Sequence, residues 1–100
     1  MVKRIKWTKR ALNEKLQILK YWKERNKSTL YSSKLNTIFI EAVKLIQQYP
    51  NLGRETEDPK VKNILAKEYL IFYEESETEI IIVHLWDERQ DPDDLIYQLK

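Results

Sequence analysis

The 100-residue chain contains no cysteine, a single glycine, a single histidine and three prolines. Each scarcity excludes a class of chemistry. Without cysteine there is no disulfide framework, no thiolate nucleophile and no cysteine-bound zinc. With His84 the only imidazole, a histidine-rich metal centre cannot be assembled either. Gly53 stands alone, so there is no glycine-rich loop to cradle a phosphate. A Ser-His-Asp triad would have to use His84, and nothing around it resembles a nucleophile elbow. Long apolar runs are missing too: those at 69–73 and 80–83 are far below the ~20 residues a membrane helix needs. The start, MVKRIKWTKR, is basic but lacks the apolar core of a signal peptide. A cytoplasmic protein without membrane attachment, metal or small-molecule cofactor is expected.

What is present fits a small folded unit. Apolar residues make up 42% and charged residues 34%, ordinary for a globular protein slightly rich in charge. The length supports one domain over residues 1–100, with one core. The net charge of +2 is unevenly spread: residues 1–27 carry +8 and the remainder −6. That asymmetry suits a cationic face for a polyanion or acidic partner, and equally a solvated helix surface.

Hydrophobic periodicity sets the element order. Val2, Ile5 and Trp7 suggest a short strand, and Thr8 is placed to cap a following helix, without a glutamate or glutamine to complete a capping box. Leu12, Leu16, Leu19 and Trp22 recur at helical spacing and predict its buried stripe. The run Glu24-Arg25-Asn26-Lys27 has no apolar member and reads as a connector, with Ser28 capping a second helix. In that helix Leu35, Ile38, Phe39, Ala42, Ile46 and Tyr49 follow one face until Pro50 ends it. Asn51-Leu52-Gly53-Arg54 reads as a turn in which Gly53 supplies a positive φ, and 55–59 as a polar loop. From Val61 the period becomes two, predicting strands at 61–66, 69–74 and 79–86. The expected fold is α+β: a short N-terminal strand, then a two-helix hairpin packed on an antiparallel sheet completed by three C-terminal strands.

Four candidate features remain, each with a bland alternative. Glu74, Glu75, Glu77 and Glu79 gather at a predicted hairpin, where a solvated turn explains them better than an acid–base pair. Alternation puts His84 on the face of Ile82 and Trp86, where it is either a packed residue or a catalytic one. Alternation also groups Tyr69, Ile71 and Tyr73, so the tyrosines are either core and rim aromatics or a platform for bases. In IIIVHLWDERQDPDDL, Arg89 follows the last apolar residue. It either holds a phosphate bidentately or pairs with Asp87, Glu88 or Asp91.

Taken in order, the strand ending at Trp7, the helix start Ala11-Leu12, the Tyr49-Pro50-Asn51-Leu52-Gly53 helix end, the strand Tyr69-Leu70-Ile71-Phe72-Tyr73-Glu74 and the ending Trp86-Asp87-Glu88-Arg89-Gln90-Asp91-Pro92 resemble toxins of the RelE/ParE superfamily. These are the toxic halves of bacterial type II toxin–antitoxin modules. The resemblance implies a cognate antitoxin partner and one of two targets. RelE-like members cut messenger RNA on the ribosome; ParE-like members poison DNA gyrase. For a nuclease the implied catalytic residues are Arg89, Tyr97 and His84; for target or nucleic-acid contact they are Lys60, Lys62, Lys67, Tyr69 and Arg89. RelE-like nucleases typically place an arginine after the first tyrosine of the middle strand, where this chain has Leu70. Loss of one charge-stabilising donor commonly costs ~10²–10³ in rate. That substitution and the Arg-Gln-Asp-Pro ending lean to a ParE-like toxin, with plasmid stabilisation and growth inhibition as implied roles. A ribosome-dependent endoribonuclease is the alternative, and a non-toxic protein-interaction module a third reading.

Overall fold

The computed structural model describes residues 2–89. Its elements run β1 (Arg4–Trp7), α1 (Lys9–Asn26), α2 (Leu30–Gln48), a 3₁₀ turn (Pro50–Leu52), β2 (Arg54–Glu55), β3 (Val61–Ala66), β4 (Tyr69–Glu75) and β5 (Glu79–Asp87). The strands form one sheet in the order β1-β5-β4-β3-β2. The C-terminal strands pair antiparallel, as expected, but β1 lies parallel to β5, so the sheet is mixed. A parallel neighbour needs a long crossover rather than a hairpin, and most of the chain intervenes between these two strands.

Thr8 joins β1 to α1 in two ways. Its backbone N–H donates to Ile82 O at 3.0 Å, closing the strand pair, while its Oγ1 accepts from Ala11 N–H at 3.1 Å and caps the helix. The helix then runs through Glu24-Arg25-Asn26, the stretch read from sequence as a connector. It stops because Lys27 turns left-handed, with φ 51°, and the Ser28 N–H closes back on Lys23 O. A charged last turn needs no apolar residue to stay helical, which is why periodicity missed it. Thr29, not Ser28, stands at the cap position of α2; Ser28 Oγ accepts from Leu30 N–H just before it.

The buried face of α1 differs from the predicted stripe. Leu12 and Leu16 are 43% and 54% exposed, whereas Ala11 is fully buried and Ile18, Leu19 and Trp22 pack on the core. The apolar residues of α1 cover too wide an arc for all to face the sheet. Contact is made around Ala11, whose small side chain lets the helix approach closely. On α2 the prediction was nearer: Leu35, Phe39 and Ile46 are buried as expected, joined by Val43, with Ile38 and Ala42 at the margin, while Tyr49 at the helix end is 60% exposed. They meet Tyr69, Ile71, Tyr73, Ile80, Ile82 and Leu85 in the main core. Each large side chain so buried contributes ~1.5–3 kcal/mol relative to exposure.

Two local features were misread from sequence. Gly53 has φ −69°, an ordinary extended value, so it serves no left-handed turn. Its reason is space: a Cβ there would lie 2.5 Å from the Tyr73 hydroxyl and 2.9 Å from Lys62 Cβ. The left-handed φ in the β3–β4 connection falls instead on Lys67, at 61°. Second, β5 bulges. Phe72 pairs with His84 but Tyr73 pairs with Ile82, leaving Val83 unmatched. The bulge breaks the alternation: Ile80 and Ile82 face the helices, while His84 and Trp86 stack beside Phe72. Val61, Phe72 and Trp86, with Leu70 and Val83, form a second apolar cluster.

Candidate functional site

β1 pairs with β5 only over 79–82 before the chain turns into α1. Beyond that point α1, not a strand, runs beside the end of β5. Between them lies a cleft of about 490 Å³, lined by Glu14, Gln17, Ile18 and Tyr21 from α1, Tyr69 from β4, and Leu85, Trp86, Asp87 and Arg89 from the end of β5.

Glu14 is its anchor. The carboxylate accepts from His84 Nδ1–H, at 2.7 Å from Oε2 and 2.9 Å from Oε1, and from the Leu85 backbone N–H at 3.2 Å. Arg10 Nε lies 3.6 Å away, one turn back along the helix. His84 is 1% exposed, between the rings of Phe72 and Trp86, and its Nε2 has no hydrogen-bond partner among the described residues. An ionised carboxylate can only accept, so the proton on this bond belongs to His84 Nδ1.

Tyr69 is 3% exposed and joins the cleft to the helix pair: its hydroxyl accepts from Trp22 Nε1–H at 2.7 Å. Burial pushes its phenol above the ordinary tyrosine range, against a smaller opposite effect of the Trp22 bond. At the mouth, Arg89 folds back on Asp87. Its Nε and Nη2 donate to Oδ1 and Oδ2 at 2.9 and 2.6 Å, while its backbone N–H also reaches Oδ1. Nη1 is 3.4 Å from Glu68 Oε2. The Arg89 hydrogen bonds hold the Asp87 carboxyl below its usual value, and the same pairing raises the guanidinium further.

The residues singled out in sequence therefore fall in different places. Arg89 and Tyr69 line one cleft, and His84 lies behind its wall. Lys60 and Lys62 line a separate hollow with Pro59, Tyr73, Glu74 and Glu75. Lys67 is exposed on the β3–β4 turn, and Tyr97 lies outside the described residues. Leu70 faces Trp86 across the strands and belongs to the second apolar cluster. Glu14 escaped the sequence reading; its one signal was an isolated acid in a basic helix. Among the described residues no cluster of His, Asp or Glu could hold a metal ion, and no helix is long and apolar enough to cross a membrane.

The family model for the ParE toxin of the type II toxin–antitoxin system parDE matches residues 5–92. The chain belongs to the ParE toxin family. Its fold agrees with that of a solved chain from the chromosomal ParDE toxin–antitoxin system of P. aeruginosa. The TM-score is 0.75 and the identity 22%, covering 86% of this chain and 96% of that one. No curated protein matches the chain in sequence. The α+β reading, the helix hairpin on the sheet and the toxin-family resemblance thus hold, and the lean within the superfamily goes to ParE.

Proposed function

We propose that this ParE-family chain arrests growth by binding DNA gyrase, and that a cognate antitoxin holds it inactive. The observation that carries the choice of target is the engagement of Arg89: Asp87 takes the guanidinium at two nitrogens and Glu68 lies against the third. A ribosome-dependent nuclease needs cations free to meet charge developing on a phosphate, and a base or acid within reach of the 2′-hydroxyl. Here His84 is sealed beneath aromatic rings, and the position where RelE-like nucleases carry an arginine is an apolar leucine. Binding a protein target requires none of these groups.

The partner surface is the outer face of α1. Lys9, Leu12, Leu16, Lys20 and Lys23 recur at helical spacing, all exposed. Two leucines bordered by lysines fit an amphipathic segment with acidic flanks. The test of the target is gyrase supercoiling with purified protein. Inhibition is expected, with ribosome-bound message left intact in primer extension; untouched supercoiling together with message cleavage would reverse the assignment. In co-expression with the product of the adjacent open reading frame, growth arrest should be relieved, and Leu16→Glu should weaken the complex at least ten-fold. A protein that never arrests growth points to the non-toxic interaction module instead.

A further inference from the structure

We propose that Arg4, Lys6 and Lys9, at the corner where β1 passes into α1, contact the phosphate backbone of duplex DNA without regard to its sequence. The inference goes beyond the gyrase reading and takes from it only the choice of DNA over RNA, since DNA is what that target holds.

The fold builds the corner. Ile5 and Trp7 pack on the main core, so alternation turns Arg4 and Lys6 to the helix-free face of the sheet, where both are exposed. β1 is an end strand of the sheet, which puts this pair at its rim. Thr8 then leads the chain directly into α1, whose first residue, Lys9, is exposed as well. The first turn of α1 holds no acid, and the free N–H groups of a helix start add to the positive potential there.

The neighbouring cations are already engaged. Lys3 Nζ is held by Glu75 at 2.6 Å and Arg10 lies 3.6 Å from Glu14, whereas Arg4, Lys6 and Lys9 form no ion pair among the described residues. Glu79 stands opposite Arg4 in register but closes no salt bridge on it. The rim thus presents three uncompensated cations within six residues. A protein interface centres on apolar anchors, and β1 turns none outward, because both of its apolar residues face the core. Backbone binding needs only accessible cations, with released counterions supplying the driving force. The leucine face of α1 differs in this respect, and Lys9 borders both surfaces.

The experiment measures binding of the purified full chain to a short DNA duplex of mixed sequence by fluorescence anisotropy across a salt series. With three phosphates neutralised, log affinity should fall against log salt with a slope of about −2.7, or about 40-fold between 50 and 200 mM. Arg4→Gln combined with Lys6→Gln should reduce the slope by about 1.8 and the affinity at least ten-fold, with an unchanged thermal midpoint. Lys20→Gln combined with Lys23→Gln, on the leucine face, should leave the slope as it is. Absence of binding at low salt overturns the proposal, as does a slope that the Lys20 and Lys23 changes lower and the Arg4 and Lys6 changes do not. Equally tight binding to duplex RNA overturns the choice of DNA. An antitoxin complex weakened by Arg4→Gln and Lys6→Gln, without any DNA binding, overturns the proposal by giving the rim to a protein. Gyrase inhibition without DNA binding removes this inference and leaves the gyrase reading standing; DNA binding without gyrase inhibition does the reverse.

Discussion

The Tyr73 hydroxyl ties the 3₁₀ turn to the sheet at two points, accepting from Gly53 N–H at 3.0 Å and donating to Pro50 O at 2.7 Å. Gly53 is the residue that makes this approach possible, since any Cβ would overlap the ring. Both bonds are partly buried, so each group left alone would carry a desolvation penalty of ~1–3 kcal/mol.

Gly53→Ala should accordingly destabilise the protein by ~1–3 kcal/mol, the usual cost of forcing extra volume into a packed site. Urea unfolding monitored by circular dichroism checks this. Because φ is −69°, alanine suffers no backbone strain and rather gains by restricting the unfolded chain. An unchanged or raised midpoint would mean that Tyr73 yields easily and that its two bonds contribute little.

Alkaline titration tests the two buried phenols. Burial raises Tyr69 and Tyr73 above the ordinary tyrosine pKa of ~10. For an acid raised in the folded state, the unfolded chain ionises first, so the stabilisation is intact below pH ~10 and is lost as pH climbs through the folded values. In ultraviolet absorbance Tyr69 and Tyr73 should titrate late. Unfolding free energy should fall across the same window, and less steeply in Tyr69→Phe.

How far the sequence reached can be judged residue by residue. β3 and the start and body of β4 and β5 were readable because alternation over six or more residues is hard to mistake. The two-residue β2 carries too little pattern to be seen. Parallel pairing of β1 depends on a partner more than seventy residues away, about which its four residues say nothing. The bulge at Val83 inverted the expected grouping of Ile82 with His84 and Trp86, since no residue type marks it. At the cleft, Arg89 and Tyr69 were identifiable from position, but Glu14 was not: its role comes from the point where β1 stops short of β5.

The exposed and buried faces of α1 give a paired prediction about stability. Leu16→Ala should change unfolding free energy by no more than ~0.5 kcal/mol, as expected for a surface substitution. Ile82→Ala, at a position of full burial, should cost ~2–5 kcal/mol. Equal losses in chemical denaturation would show that Leu16 is buried in solution, and the proposed antitoxin surface would have to be redrawn.

Glu14 should prove more important to stability than its place near a helix surface suggests. Glu14→Ala removes the acceptor for both Leu85 N–H and His84 Nδ1–H, leaving two donors unpaired at ~1–3 kcal/mol each wherever water cannot reach them. Glu14→Gln keeps an amide oxygen for one of those bonds but also places an NH₂ group near the other donor. It should fall between wild type and alanine. Denaturant midpoints of the three proteins give the ranking, and the Leu85 amide exchange rate gives the local readout. Faster exchange at Leu85 in Glu14→Ala, beyond what the global loss of stability explains, identifies the carboxylate as the cover of the β5 edge. Identical local exchange in all three would show that water or another group serves that N–H equally well.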